Sequence, residues 1–113
     1  MTAPLVLAAL LLHPPPATTV YYGALKDARK PGEVEAGKIF REIPEYRSIQ
    51  DKGLDSRDPE YFVLLSKANA KFFAAVRRAA AGAGCDVVVE RGSASFAERP
   101  ADLTSRAIEA LEK

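Results

Sequence analysis

Few residues of this chain have side chains that can bind a transition metal or act as a catalytic nucleophile with its base. The 113 residues include one histidine, His13, and one cysteine, Cys85. A structural zinc site needs about four Cys or His ligands, and Cys–His or Ser–His catalysis needs a histidine beside the nucleophile. Because His13 lies in a segment that we expect to be removed, the sequence excludes these sites from the remaining chain. A single cysteine also excludes an internal disulfide.

Three carboxylates, Asp86, Glu90 and Asp102, lie close to the predicted strands described below, where a pair of acids can serve as general acid and base. Neither a glycine-rich phosphate loop nor a histidine accompanies them. We therefore interpret them as groups that cap backbone amides or face water. The sequence predicts no catalytic residue, no metal, no cofactor and no enzymatic activity.

Composition limits the class of protein. The chain has the length of one small domain, and 48% apolar with 27% charged residues is typical of a folded chain with a packed core. The net charge is +1, from 16 Lys and Arg residues against 15 Asp and Glu residues. Proteins that bind nucleic acid usually carry a strong basic excess, so nucleic acid is not an expected partner.

The first residues have the pattern of an export signal. Residues 4–12 read PLVLAALLL, and His13 and three prolines separate them from Ala17. This run has the length of a signal-peptide core and about half the 20 residues that a membrane-spanning helix needs. We expect a signal peptide over residues 1–17 and a mature chain that starts near Thr18. The alternative is a buried N-terminal strand or helix.

The mature chain begins with a predicted strand and two helical segments. Residues 18–22 are rich in β-branched and aromatic side chains, which favours a strand. Residues 25–32 are charged and end in Pro-Gly, which indicates a loop. Helix-forming residues then predict a helix over 33–43, and Pro44 interrupts it before a further helical segment that ends at Gly53.

The strongest single prediction is a long helix over residues 59–83. Asp58 and Pro59 form a typical helix start, and glycines close the helix. Apolar residues recur every three or four positions, and Asn69 occupies the one polar place in this seam. The helix either packs on its own domain or forms a helical hairpin or coiled coil whose register Asn69 sets. In both alternatives, residues 33–52 fold back on the long helix.

The last third of the chain contains strand signals followed by a helix. Residues 85–90 read CDVVVE and predict a strand, residues 91–92 a turn, and residues 93–98 the second strand of a β-hairpin. A final helix follows, capped by Asp102 or Thr104. The order is strand, helical hairpin, two strands and C-terminal helix, so the sequence predicts an α+β fold with a small β body.

Two groups of residues on the long helix are candidates for binding. Lys67, Lys71 and Arg78 are spaced four and seven residues apart, so they share one face that can attract an acidic protein or anionic lipid. An ordinary solvated face is the alternative. The apolar side chains exceed what one seam needs, and any that stay exposed would form a binding patch, with core packing as the alternative. The apolar candidates are Tyr61, Phe62, Leu65 and Phe72.

Three segments resemble the OmpH/Skp family of periplasmic chaperones. Residues 73–90 read FAAVRRAAAGAGCDVVVE and are similar to the family's long helix, which ends in glycine and runs into a valine-rich strand. Asp102-Leu103-Thr104 and the helix after it resemble the family's closing Asp-Ile-Thr and last helix. Residues 39–46 resemble its first helix with a Pro-x-Tyr step. The resemblance covers about residues 18–113.

The resemblance implies a periplasmic homotrimer that has no active site and needs neither a cofactor nor ATP. In that family, strands of three chains build a small β body, and helical hairpins project as arms around a cavity that holds unfolded outer-membrane proteins. Here the arm would span about residues 33–83. We therefore expect a holdase chaperone whose clients are unfolded outer-membrane or other envelope proteins.

The chain departs from the family in four respects. Its hairpin is short, which implies a small cavity, and its charge is near neutral, whereas the best-known members are basic. Residues 24–32 resemble an insertion, and Cys85 stands where an aromatic residue is common. These departures keep an alternative open: a non-catalytic structural or adaptor module of the cell envelope that has the same fold and binds one folded partner.

Overall fold

A computed structural model describes residues 18–111 of the chain. The predicted signal peptide, residues 1–17, lies outside the described residues. Within these limits the chain forms four strands and four helices. In chain order they are β1 Val20–Gly23, β2 Pro31–Val34, α1 Ala36–Phe40, α2 Pro44–Lys52, α3 Pro59–Ala83, β3 Val87–Glu90, β4 Ala101–Asp102 and α4 Thr104–Glu109.

The four strands form one mixed sheet in the order β1-β3-β2-β4. β3 runs antiparallel to β1, with Tyr22 opposite Val88, and parallel to β2, with Val34 opposite Glu90. β2 in turn lies parallel to the short β4. The chain joins β2 to β3 through three helices, as parallel neighbours require a long crossover. The predicted α+β class is confirmed.

β2 lies where the sequence pattern predicts the end of a loop and the start of a helix. It pairs with β3 on one side and with β4 on the other, and Val34 is fully buried. Because both partners come from distant parts of the chain, this strand cannot be recognised from its own residues, which begin with the turn signal Pro31-Gly32. The predicted helix over 33–43 is therefore wrong in its first turn, and α1 covers only Ala36–Phe40.

The predicted β-hairpin after β3 is also wrong. Residues 93–98 alternate like a strand but form turns and irregular structure. Both edges of β3 are already occupied, by β1 and by β2, so no edge of that strand is left for a hairpin partner. The chain instead supplies β4, which pairs with the far edge of β2.

The long helix has the predicted limits. α3 runs from Pro59 to Ala83, and Gly84 ends it in the left-handed region at φ 73°, a conformation that favours glycine. Asp58 does not cap the helix, because its carboxylate accepts the amide of Asp55 in the preceding turn at 3.0 Å. The helix start is thus set by this turn and by the proline rather than by a side-chain cap.

α2 folds back on the first half of α3, so the chain forms a helical hairpin. Lys52 Nζ lies 2.7 Å from Glu60 near the turn, and Lys71 Nζ lies 2.9 Å from Glu45 at the other end of α2. These pairs fix an antiparallel arrangement. The hairpin comprises α2 and α3, residues 44–83, rather than the predicted 33–83, because β2 belongs to the sheet.

The core lies between the sheet and the second half of α3. Phe40 stacks on Phe72 with ring centres 4.8 Å apart, and Tyr21 packs edge-on against Phe72 at 5.0 Å. Val88 of β3 belongs to the same cluster. Along α3, the buried part of this cluster begins at Ala68, so the first turns of the helix lie beyond it.

Candidate binding surface on the long helix

α3 has a strongly cationic composition. Glu60 is its only acidic residue, and the next acid along the chain is Asp86. Four basic residues lie between these two, and all but Lys71 are exposed. The charge pattern of α3 is therefore more one-sided than the three predicted cations indicated, since Arg77 joins them. The four are Lys67, Lys71, Arg77 and Arg78.

Two large apolar side chains are exposed at the start of α3. Phe62 is 44% exposed and Val63 is 54% exposed, while Tyr61 is half-buried and packs edge-on against Phe62 with ring centres 5.1 Å apart. We call these three residues the hairpin tip. Tyr61 and Phe62 were predicted as binding residues from the sequence, whereas Val63 was not.

Two other predicted binding residues belong to the interior. Leu65 is 1% exposed and Phe72 is fully buried. Phe72 lies at the centre of the aromatic cluster, and Leu65 lies in the part of α3 along which α2 runs. The prediction that they contact a partner is therefore wrong for the folded state described here, and core packing is their observed role.

Lys67 and Lys71 have different surroundings although they are one helical turn apart. Lys67 is exposed to solvent. Lys71 is partly buried, and it donates a hydrogen bond to Glu45 Oε1 across the hairpin. This bond is the main cause that holds the pKa of the Glu45 carboxyl below its usual range. Lys71 therefore links α2 to α3, whereas Lys67 is available to a partner.

Arg78 lies where α3 meets α4. Its Nη1 donates to the backbone oxygen of Ala110 at 3.1 Å, just beyond the end of α4. Two shallow depressions adjoin it, with volumes of about 250 and 200 Å³. Both are smaller than the sites that usually enclose drug-sized molecules. The larger is lined by Arg78, Ala79, Gly82, Arg106, Glu109 and Ala110 and the smaller by Ala70, Lys71, Ala74 and Arg78.

Two of the three carboxylates near the sheet hold backbone amides of neighbouring loops. Asp86 accepts the amides of Arg29 and Lys30 at 2.7 and 3.1 Å, and Asp102 accepts the amide of Thr104 at the start of α4 at 3.1 Å. These bonds lower the pKa of both carboxyls. Their roles are structural, as the sequence interpretation proposed.

Glu90 has a role that the sequence did not indicate. Its Oε1 accepts the Tyr21 hydroxyl at 2.7 Å and the amide of Ala36 at 3.1 Å, so it joins β1, β3 and the start of α1. Burial raises the pKa of the Glu90 carboxyl, and burial together with the bond to Glu90 raises the pKa of Tyr21. The contact spans most of the chain, and no local pattern could have revealed it.

Asn69 is the one predicted seam residue whose polar group is buried. Its side chain is 5% exposed, and neither amide atom finds a hydrogen-bond partner within residues 18–111. Buried amides without partners are uncommon and destabilise the packing around them. The packing of α3 is therefore less favourable at this point than an apolar side chain would make it.

Cys85 is buried at the junction of α3 and β3, and burial raises the pKa of its thiol. A buried thiol with a raised pKa is poorly reactive. In the part of the chain that the structure describes, no group of three or more His, Cys, Asp or Glu residues is placed to hold a metal ion. Among the helices of that same part, none has the length and apolar content needed to cross a membrane.

Comparison of this chain with family models, with curated proteins and with solved structures gives no match. The candidate surface therefore rests on the geometry above: an apolar hairpin tip beside a cationic helix face.

Proposed function

We propose that this protein is an exported, ATP-independent holdase that binds unfolded outer-membrane or other envelope proteins in the periplasm. One observation carries the proposal: the exposed part of α3 places the apolar hairpin tip next to a helix face that is rich in cations and, after Glu60, free of acids. Many shallow apolar and charged contacts hold a flexible chain through avidity, without sequence specificity. No reaction is assigned to the carboxylates, because Asp86, Glu90 and Asp102 bind backbone amides.

The proposal includes a homotrimer, as the resemblance to the OmpH/Skp family implies. A single hairpin tip is small, so several tips around one client would be needed for useful affinity. β1 and β4 are the edge strands of the described sheet, and Val20 on β1 is 38% exposed, so a neighbouring copy could pair there. Light scattering after size exclusion should then give about three times the mass of one chain. The same cationic face would also make weak contact with anionic lipid.

One observation favours a second candidate, an adaptor module that binds a single folded partner. Leu65 and Phe72 are buried, which leaves Phe62 and Val63 as the large apolar side chains exposed on α3. A patch of this size suits docking against one matching surface. An adaptor should leave an unfolded client free to aggregate.

Aggregation of an unfolded client separates the two candidates. A urea-unfolded outer-membrane β-barrel is diluted into buffer with the purified protein, and light scattering follows its aggregation. We expect suppression at about one trimer per client. The double variant Phe62→Ser, Val63→Ser should lose most of it, because it removes the exposed apolar area of the hairpin tip.

Leu25→Ser is the matched control. Leu25 is 41% exposed and lies in the loop before β2. Asp86, which follows the end of α3, binds backbone amides of this loop, so the loop lies far from the hairpin tip. The control removes an exposed apolar side chain away from the hairpin tip and should suppress aggregation like the unmodified protein. Equal loss in both variants, or no suppression by the unmodified protein, would contradict the holdase proposal.

A further inference from the structure

One row of residues runs along the side of α3 that faces away from the core. Its members are spaced three and four residues apart and lie about half a turn from the buried residues of the same helix. This is the spacing by which one helix packs against another. Ala74 is half-buried and the other members are exposed. We call it the outer row, and it consists of Lys67, Ala70, Ala74, Arg77 and Ala81.

The centre of the outer row is a shallow floor. Ala70 and Ala74 lie between the side chains of Lys71 and Arg78, and the four residues enclose a depression of about 200 Å³. Lys71 is bonded to α2, and Arg78 is bonded to the backbone just beyond α4. The two long side chains therefore flank the alanines rather than cover them. Small side chains at such a contact let two helix axes approach to about 8 Å.

A cation lies at each end of this floor. Lys67 and Arg77 are exposed, and within residues 18–111 the side chain of neither forms an ion pair or a hydrogen bond. The charge of Lys67 acts on Glu45, but that carboxylate is bonded to Lys71. Residues 67 and 77 are about 15 Å apart along the helix. Carboxylates at the same separation on an opposing helix would face both cations.

A second copy of this chain does not fit the outer row. In an antiparallel contact centred between Ala70 and Ala74, Lys67 of one copy would face Arg77 of the other. In a parallel contact, each cation would face its own counterpart. Both arrangements bring like charges together, which disfavours the contact. The outer row therefore fits a different chain, one with acidic side chains.

We propose that the outer row docks an acidic amphipathic helix of a folded partner protein. The partner packs small apolar side chains on Ala70 and Ala74 and places carboxylates against Lys67 and Arg77. A helix repeats its contacts every three or four residues, as the outer row does, whereas an extended chain alternates every two. This inference goes beyond the holdase function and does not depend on it.

The test measures binding of a designed helix to the purified protein by fluorescence anisotropy. The probe is a labelled peptide of about 20 residues with a row of alanines between two glutamates, and a covalent staple on its far side keeps it helical. One reference peptide has lysines in place of the glutamates. The other has the acidic sequence in scrambled order without the staple. We expect the acidic helix to bind at least about tenfold more tightly than either.

Reversal of both charges tests the ends of the outer row. The double variant Lys67→Glu, Arg77→Glu should weaken binding of the acidic helix about tenfold or more and should bind the lysine helix instead, because two attractive pairs become repulsive. The matched control is Lys26→Glu, Arg99→Glu, which changes the net charge equally at exposed positions outside the helices. It should change binding by less than about twofold, since distant exposed charges are screened.

A bulky side chain tests the floor. Ala70 is exposed, so Ala70→Trp leaves the core intact but keeps an opposing helix at a distance. It should weaken binding of the acidic helix about tenfold. Gln50→Trp is the matched control, because Gln50 is exposed on α2, and it should leave binding unchanged.

The inference is overturned if the acidic helix does not bind, or if Ala70→Trp binds it as the unmodified protein does. Equal binding of the scrambled peptide would also overturn it, because the face would then attract any acidic chain, in agreement with the holdase function. Should the charge-reversed variant fail to fold, Ala70→Trp and the peptides decide. Tight binding of the acidic helix by a protein that does not suppress client aggregation would support this inference and contradict the holdase proposal alone.

Discussion

The two halves of α3 belong to one continuous helix but have different surroundings. In the second half, Phe72, Val76 and Ala79 are buried in the cluster that also contains residues of β2, β3 and α4. In the first half, α2 is the covering element, and Phe62 and Val63 remain exposed. The backbone hydrogen bonds are the same in kind, so we expect side-chain burial to decide the relative stability of the two halves.

This difference separates the buried core from the proposed binding surface. The sheet and the second half of α3 contain the main core cluster, while α2 at the hairpin end contributes Ile49 as its one buried residue. Surfaces that bind changing partners are usually drawn from the less stable regions of a protein. The proposed function needs this separation, because a client bound at the hairpin tip must not unfold the core between the sheet and α3.

The largest expected effect tests the burial difference directly. Phe72→Ala removes a ring from the centre of the core and should lower the free energy of unfolding by about 3–5 kcal/mol. Leu65→Ala should lower it less, by about 2–3 kcal/mol, because α2 can settle into the space left on α3. Urea unfolding followed by circular dichroism measures both variants. A greater loss for Leu65→Ala would contradict the assignment of the stable body.

A smaller effect is expected at the sheet end, where acid should stabilise the contact at Glu90. The raised pKa means that the folded protein holds this proton more readily than the unfolded chain. Its contribution to stability therefore increases as the pH falls through the raised pKa toward the ordinary value of about 4. Glu90→Gln should add about 1 kcal/mol at neutral pH, since the amide oxygen can still accept from Tyr21 and Ala36.

Asp86 and Asp102 have lowered pKa values, so their contribution to stability decreases as the pH falls. The quantity to measure is therefore the difference in free energy of unfolding between the unmodified protein and Glu90→Gln at each pH. That difference should shrink as the pH falls. A difference that stays constant from neutral to acidic pH would show that Glu90 is not the group that titrates.

The smallest expected effect concerns the hairpin, which acid should loosen. Lys71 lowers the pKa of Glu45, so this carboxylate stabilises the hairpin above about pH 4 and loses its effect as the pH falls through its lowered pKa. Glu45→Gln should cost about 0.5–1 kcal/mol of hairpin stability at neutral pH and nothing in strong acid. Hydrogen exchange of α2 measures the loss. An equal change in the exchange of β3 would mean that the hairpin does not open separately.

The parts of the fold that local residues determine could be predicted, and those that distant partners determine could not. The limits of α3 follow from Pro59 and Gly84, which act on their own neighbours. β2 was not predictable from its own residues, which start with the turn signal Pro31-Gly32, because its pairing with β3 and β4 makes it a strand. Residues 93–98 have the pattern of a strand but do not pair with β3, because β1 and β2 occupy both edges of β3.

The same reason limits what the sequence indicates about the binding surface. Residue type and helical spacing identified cations and aromatic residues of α3 as candidates for binding. Whether each side chain faces solvent depends on α2 and the sheet, so Phe62 is exposed while Leu65 is buried three residues later. Spacing alone could not separate them, since both lie on the same predicted seam.

Hydrogen exchange of the purified protein, with and without an unfolded outer-membrane protein bound, tests the central claim most directly. We expect the client to change exchange in α2 and in the first half of α3 and to leave β1, β2 and β3 as they are. Changes confined to the sheet, or an exchange pattern that the client does not alter at all, would contradict the claim that the hairpin end of α3 holds unfolded polypeptides.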